Sequence, residues 1–189
     1  MKKIISFIIA AVFAVGSAFA ANDLLDFEGV AGMNIANVDA LGYKSRIGFH
    51  VGVRGTYAFQ SQSNGLYANG AALFSLLGAK ASGTTCDSYC LVFPIHMGYK
   101  RTFVEDVAVF GEFGPYFSVG LFGSADGQNL FSDDGWDINR FDVGLGLRFG
   151  FEFAKKCSVS FGYDFGLVNV RDDYSTKTRN ATISLGYKF

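Results

Sequence analysis

The residues able to do acid–base, thiol or metal chemistry are few: two histidines, three cysteines and a scatter of carboxylates among 189 residues. A histidine base or metal centre needs a carboxylate or thiolate close to its ring. No HExxH, GxSxG or triad-like grouping accompanies His50 or His96, so both are expected to fill a polar interior. Cys86 and Cys90 stand at a C-x-x-x-C spacing in a stretch that reads as the second long loop. A local disulfide is expected there if the loop folds back on itself, and zinc would need two further ligands that the sequence does not supply. Cys157 is left over. Cysteines at this number suggest an oxidising compartment without proving it. Asp126, Asp133, Asp134 and Asp137, and later Asp172 and Asp173, cluster the oxygens that hard cations favour. Their spacing fits no EF-hand, and Asp and Gly are ordinary turn residues. Trp136 in the same loop is placed to meet a partner or an interface. The residues therefore point to no enzyme, no metal and no cofactor.

A second polar set is more ordered. Arg54, Lys100, Glu112, Asp142, Arg148, Glu152 and Asp164, with Glu28 and Lys188, all fall on the polar side of alternating segments. Opposite charges enclosed together must pair or stay hydrated, because a lone buried charge costs several kcal/mol. They form either a salt-bridge network that plugs an interior or the lining of a narrow pore for ions or very small solutes. An eight-stranded barrel has an interior about filled by side chains, which favours the plug.

The elements that hold these residues are strands. From Arg140 to Phe153, Phe141, Val143, Leu145, Leu147, Phe149, Phe151 and Phe153 share one face, and Asp142, Gly144, Gly146, Arg148, Gly150 and Glu152 the other. Period two is the signature of a strand with unlike faces. At about 3.3 Å per residue such a run crosses a bilayer at a tilt. The pattern recurs over residues 46–59, 91–100, 107–121, 158–167 and 180–189, and more weakly over 29–37 and 66–77. Phe110 and Tyr116 are exceptions that would point to the polar side. The expectation is an all-β, eight-stranded, antiparallel up-and-down transmembrane barrel.

Composition agrees. Charged residues make up 17%, with 24 Gly, 21 Phe and 9 Tyr against 2 Pro, below the roughly 25% charge of ordinary soluble domains. A net charge of -1 and a pI near 6.1 give no basic footprint for nucleic acid. Lys2 and Lys3, the apolar run Ile4–Val15 and Ala18-Phe19-Ala20 form a signal peptide with cleavage expected after Ala20. Residues 21–189 then form the barrel domain. No later apolar run approaches the length of a membrane helix.

A secreted lipocalin-type barrel also alternates, with its apolar face inward around a ligand. Loop lengths and aromatics favour the membrane. Gaps near 60–65, 102–106 and 154–156 are short, and those near 38–45, 79–89, 122–138 and 170–178 are longer, as outer-membrane barrels are built. Every even strand ends in outward aromatics: Tyr57 and Phe59, Tyr99 and Phe103, Phe151 and Phe153, Tyr187 and Phe189. Together they make one rim of a girdle against outer-membrane lipid.

Ile47-Gly48-Phe49-His50-Val51-Gly52-Val53, Leu91-Val92-Phe93-Pro94-Ile95 and Gly114-Pro115-Tyr116-Phe117 carry a resemblance, together with Phe141-Asp142-Val143-Gly144-Leu145-Gly146 and Leu185-Gly186-Tyr187-Lys188-Phe189. In their order and spacing the chain resembles the PorT-like outer-membrane β-barrel proteins common in the Bacteroidetes. In strand number it is similar to the small OmpA/OmpX-type barrels. The terminal Phe189, with Tyr187 two before it, resembles the signal read by the barrel-assembly machinery. The resemblance implies outer-membrane localisation and a structural or interaction role, with recognition through the longer loops, and it names no extracellular partner.

Overall fold

The computed structural model describes residues 24–39, 43–59, 64–81, 84–104, 106–125, 127–131, 138–171 and 174–189. The expected signal peptide lies outside them, as do Asp126, Asp133, Asp134, Trp136, Asp137, Asp172 and Asp173. The described strands are β1 (Leu25–Val38), β2 (Tyr43–Ala58), β3 (Asn64–Ala81), β4 (Thr84–Val104), β5 (Val107–Ala125), the two-residue β6 (Gln128–Asn129), β7 (Phe141–Phe153), β8 (Cys157–Arg171) and β9 (Tyr174–Lys188).

Each long strand pairs antiparallel with its neighbour in sequence, β5 pairing with β7 across the β6 excursion. β1 pairs with β9, with Glu28 opposite Lys188 and Ala36 opposite Asn180. That last pairing closes the sheet into a ring of eight strands, an up-and-down barrel with no free edge. The expected fold class is the one observed.

Parity sets the two faces. On β5, Ala108, Phe110, Glu112, Gly114, Tyr116 and Ser118 are buried, while Gly111, Phe113, Pro115 and Phe117 between them are exposed. Phe110 and Tyr116 do point inward, and glycines on facing strands make the room. A Cβ on Gly150 would stand 2.5 Å from the Phe110 ring, and one on Gly144 would stand 2.4 Å from that of Tyr116. The exterior is the reverse: Ile47, Met97, Leu147, Leu185 and Phe141 are all more than half exposed. Apolar side chains outside and charges inside are the inverse of a soluble ligand-binding barrel, so the lipocalin alternative falls.

The loop readings need correction. Residues 79–89 form no long loop, since β3 runs to Ala81 and β4 starts at Thr84, paired from Ala81↔Thr84 onward. The polar run Thr84–Ser88 lengthens a hairpin past the apolar belt, where lipid no longer demands an apolar outer face. The fourth gap shrinks likewise, with Arg171 paired to Tyr174. Cys86 and Cys90 therefore lie on one extended strand, and no disulfide joins them. Four residues of strand separate their Cα atoms by about 13 Å, twice what a disulfide spans.

At the opposite end the β7–β8 turn is tight. Lys156 N donates to Phe153 O at 3.1 Å, with Ala154 and Lys155 at φ 50° and 57° between them. Both residues take the left-handed region that tight hairpin turns use, in a three-residue loop between Phe153 and Cys157. Cys157, which opens β8, is an exposed thiol at this end.

Candidate functional site

The interior is built in tiers. At the end where β1 begins and β9 ends, Lys188 Nζ lies 2.7 Å from Glu152 Oε2 and 3.1 Å from Asp26 Oδ2, and Lys100 Nζ lies 3.4 Å from Glu152. One step deeper, Arg54 donates to Glu28 at 2.6 Å, and Ser158 Oγ donates to the other Glu28 oxygen at 3.2 Å.

Glu112 occupies the middle. Tyr67 donates its hydroxyl to Oε1 at 2.8 Å, Arg148 donates to Oε2 at 3.4 Å, and His96 Nδ1 stands 3.6 Å from Oε2. Arg54, Tyr67, His96, Glu112 and Arg148 are each less than a tenth exposed. Charges so enclosed stay folded only if paired, and the pairing here is nearly one cation to one carboxylate. Arg148 Nε and both ring nitrogens of His96 are buried without a hydrogen-bond partner.

The same level holds a grouping the sequence did not suggest. His50 Nδ1 is 2.7 Å from Asn34 Oδ1 and His50 Nε2 is 2.9 Å from Ser184 Oγ. Asn34 Nδ2 donates to the carbonyls of Phe49 and Leu76. Its oxygen is thereby turned to the ring, which carries its proton on Nδ1 and accepts from Ser184. These are the positions of orienting amide, base and nucleophile in an acyl-transfer triad. All three residues are buried, and none borders either cavity of the interior. The arrangement satisfies polar groups inside the wall.

The last tier lies toward the longer connections. Asp142 Oδ2 accepts from Thr178 Oγ1 at 2.6 Å and from the Tyr116 hydroxyl at 2.9 Å, and Asn180 donates to Asp164 at 3.1 Å. The seven polar residues singled out from the sequence all face inward, but as separate groups. Lys100 and Glu152 sit at one end, and Arg54, Glu112 and Arg148 at the middle. Asp142 and Asp164 take neutral partners at the other end. Asn34, Tyr67, Tyr116 and Ser184 complete these groups; their inward parity was the one signal available.

Two cavities flank the packed middle. A small one of about 40 Å³ adjoins Glu28, Lys100 and Glu152. A larger one of about 420 Å³ opens above Asp142 and Asp164. Residues on either side of β6 and before β7 close over it: Leu130, buried, packs on Cys86 and Ala125, with Phe131 and Ile138 against them. Backbone bonds Leu130 N→Gly123 O, Ile138 N→Leu130 O and Asn139 N→Val170 O tie this segment to the wall.

On the outer face, Tyr57, Phe59, Tyr99, Phe103, Phe153, Tyr187 and Phe189 are each at least two-fifths exposed at the end of the termini, with Phe151 half-buried beside them. Farther up, Phe74 stacks on Tyr89 and Tyr89 on Phe122 at 6.0 and 4.7 Å between centroids. Tyr89 to Tyr99 is ten residues of β4. At about 3.3 Å each and a tilt near 40°, the two aromatic levels stand roughly 25 Å apart, the height of an outer-membrane apolar band.

A family model described as outer membrane protein beta-barrel domain matches residues 5–189. No curated protein sequence matches the chain. Among solved structures, the outer membrane enzyme PagL shares 15% identity over 84% of this chain and 98% of its own, at TM-score 0.50. The attachment invasion locus protein Ail of Yersinia pestis shares 19% over 87% and 98%, at 0.47. The Neisserial surface protein NspA shares 16% over 86% and 97%, at 0.49. At these identities the likeness is one of fold.

Proposed function

The chain belongs to the outer membrane protein beta-barrel domain family, and on that premise we propose that it is a closed scaffold whose recognition lies at the end bearing the long β5–β7 connection and the extended hairpins. The carrying observation is the packed middle of the lumen. Arg54, Tyr67, His96, Glu112 and Arg148 fill the cross-section between the two cavities with buried side chains, Tyr67 and Arg148 bonded to Glu112 and Arg54 to Glu28. An eight-stranded interior has little room to spare, and a water path would have to break these contacts.

The long β5–β7 connection and the extended β3–β4 and β8–β9 hairpins face outward from the cell and the opposite end faces the periplasm, the usual orientation of such barrels. The expected signal peptide over residues 1–20 serves export, and the exposed terminal Phe189, with Tyr187, serves recognition by the barrel-assembly machinery. The order of its motifs supports a place in the PorT-like group. This reading contains no catalytic step: Asn34, His50 and Ser184 border neither of the two cavities described above. Hydrolysis of an ester by the purified barrel, lost in Ser184→Ala, would overturn that part.

Planar-bilayer recording tests the scaffold reading. Purified protein is expected to insert without a stable conductance. A reproducible open state lasting seconds would contradict the closed lumen and make the chain a narrow channel.

A further inference from the structure

We propose that the cavity of about 420 Å³ at the loop end is a binding site for a compact apolar molecule carrying a protonated amine. The site rests on the reading of the lumen as closed, since the packed tier below forms its floor. Its size falls in the range of small-molecule sites, which are largely apolar with a few placed polar groups. The walls fit that description, with Leu77, Val92, Leu130, Phe131, Ile138 and Val168 around it.

The floor decides the head group. Asp142 spends Oδ2 on two hydroxyl donors and leaves Oδ1 buried with no partner. Asn180 gives its amide to Asp164 and likewise leaves its oxygen buried and unpartnered. Neither carboxylate has an ion pair among the described residues. The nearby cations are engaged elsewhere: Arg148 on Glu112, Arg179 on Asp39 and the carbonyls of Gly166 and Thr178, Arg140 on carbonyls and over the Phe131 ring. A floor of carboxylates and an amide oxygen offers acceptors and negative charge. Both unpartnered oxygens lie beneath the cavity surface; a buried acceptor left empty costs free energy, which a donor recovers by turning the Asp142 carboxylate toward the cavity. An ammonium supplies up to three donors and the opposite charge.

A ligand bearing a carboxylate is the competing chemistry, because Arg140 and Arg179 stand at the rim. Their existing bonds would have to break to receive it, and its anion would meet Asp142 and Asp164 below. The amine passes the same two guanidiniums, but their bonds are already made and its charge matches the carboxylates of the floor.

The test uses the full-length mature barrel in zwitterionic-lipid nanodiscs and two water-soluble probes of one shape, cyclohexylmethylamine and cyclohexanecarboxylate. Calorimetry is expected to give the amine an affinity about tenfold or more above the carboxylate. Asp142→Asn is expected to abolish the preference, and Val92→Phe, which fills the cavity, to remove binding of both. A second reading needs no cavity variant: in Cys157→Ser protein, the amine should slow modification of Cys86 and Cys90, which line the cavity, by a small thiol reagent. Equal binding of the two probes, preference for the carboxylate, or amine binding untouched by Asp142→Asn with no protection of the thiols overturns the site. A barrel that binds the amine yet conducts would leave the site standing and sink the closed-lumen reading instead.

Discussion

Glu112→Ala is expected to cost the folded barrel about 3–5 kcal/mol, because it strands a buried guanidinium. Arg148 has Glu112 as its ion partner at 3.4 Å, and its Nε is already without a hydrogen bond. The same change takes the acceptor from the Tyr67 hydroxyl at 2.8 Å and the carboxylate from beside His96. Arg54 keeps its ion pair with Glu28 at 2.6 Å but loses the second carboxylate near its charge. Guanidinium unfolding of the protein refolded into lipid vesicles measures it. The double variant Glu112→Ala with Arg148→Leu should recover much of the loss, since it removes the lone charge along with its partner. A Glu112→Ala cost below about 1 kcal/mol would mean that water reaches Arg148, and the middle of the lumen would then be open rather than packed.

Leu147→Arg is expected to cost about 2–4 kcal/mol in the same assay, the depth-dependent cost of a cation on the lipid face of a barrel near the bilayer midplane. Leu147 is 55% exposed at the centre of β7, with Leu145 and Phe149 beside it on the outer face. Its neighbour Arg148 points the other way and is buried. Position 147 in water would accept arginine at almost no cost, as exposed sites usually do. The sign and size of the effect therefore report which solvent surrounds the barrel. Val107→Lys, at the rim among the girdle aromatics, should cost roughly 1 kcal/mol or less, because the cost falls toward the interfaces. Equal costs at 107 and 147 would argue against a bilayer around the wall.

Parity explains why so much of this was readable from the chain. In a barrel wall each strand has two faces with different solvents, so β7 spells out its orientation residue by residue. Both Arg148 and Leu147 follow from that single alternation. Phe59, Phe103, Phe153 and Phe189 share one rim because they stand at the ends of strands that all reach it. What parity cannot carry is distance across the ring. Ser184 lies 134 residues from His50, and their hydrogen bond depends on how β1 is set against β2 and β9. The polar set likewise divides into tiers only once the stagger of the strands is fixed. Thr84–Ser88 read as a loop because polar residues on both faces look like one. Past the apolar band they are simply strand in water, which also removed the local bond between Cys86 and Cys90. The larger cavity was hidden for a related reason: it depends on Leu130 and Phe131 folding back over the mouth, a contact made by a connection without periodicity.

The most direct measurement of the central claim is membrane fractionation followed by a heat-modifiability gel. The account predicts protein in the outer-membrane fraction that migrates as a compact species when unboiled and shifts on boiling, as a closed barrel held by an unbroken ring of strand pairing should. Recovery as soluble periplasmic protein, with identical mobility before and after boiling, would contradict it.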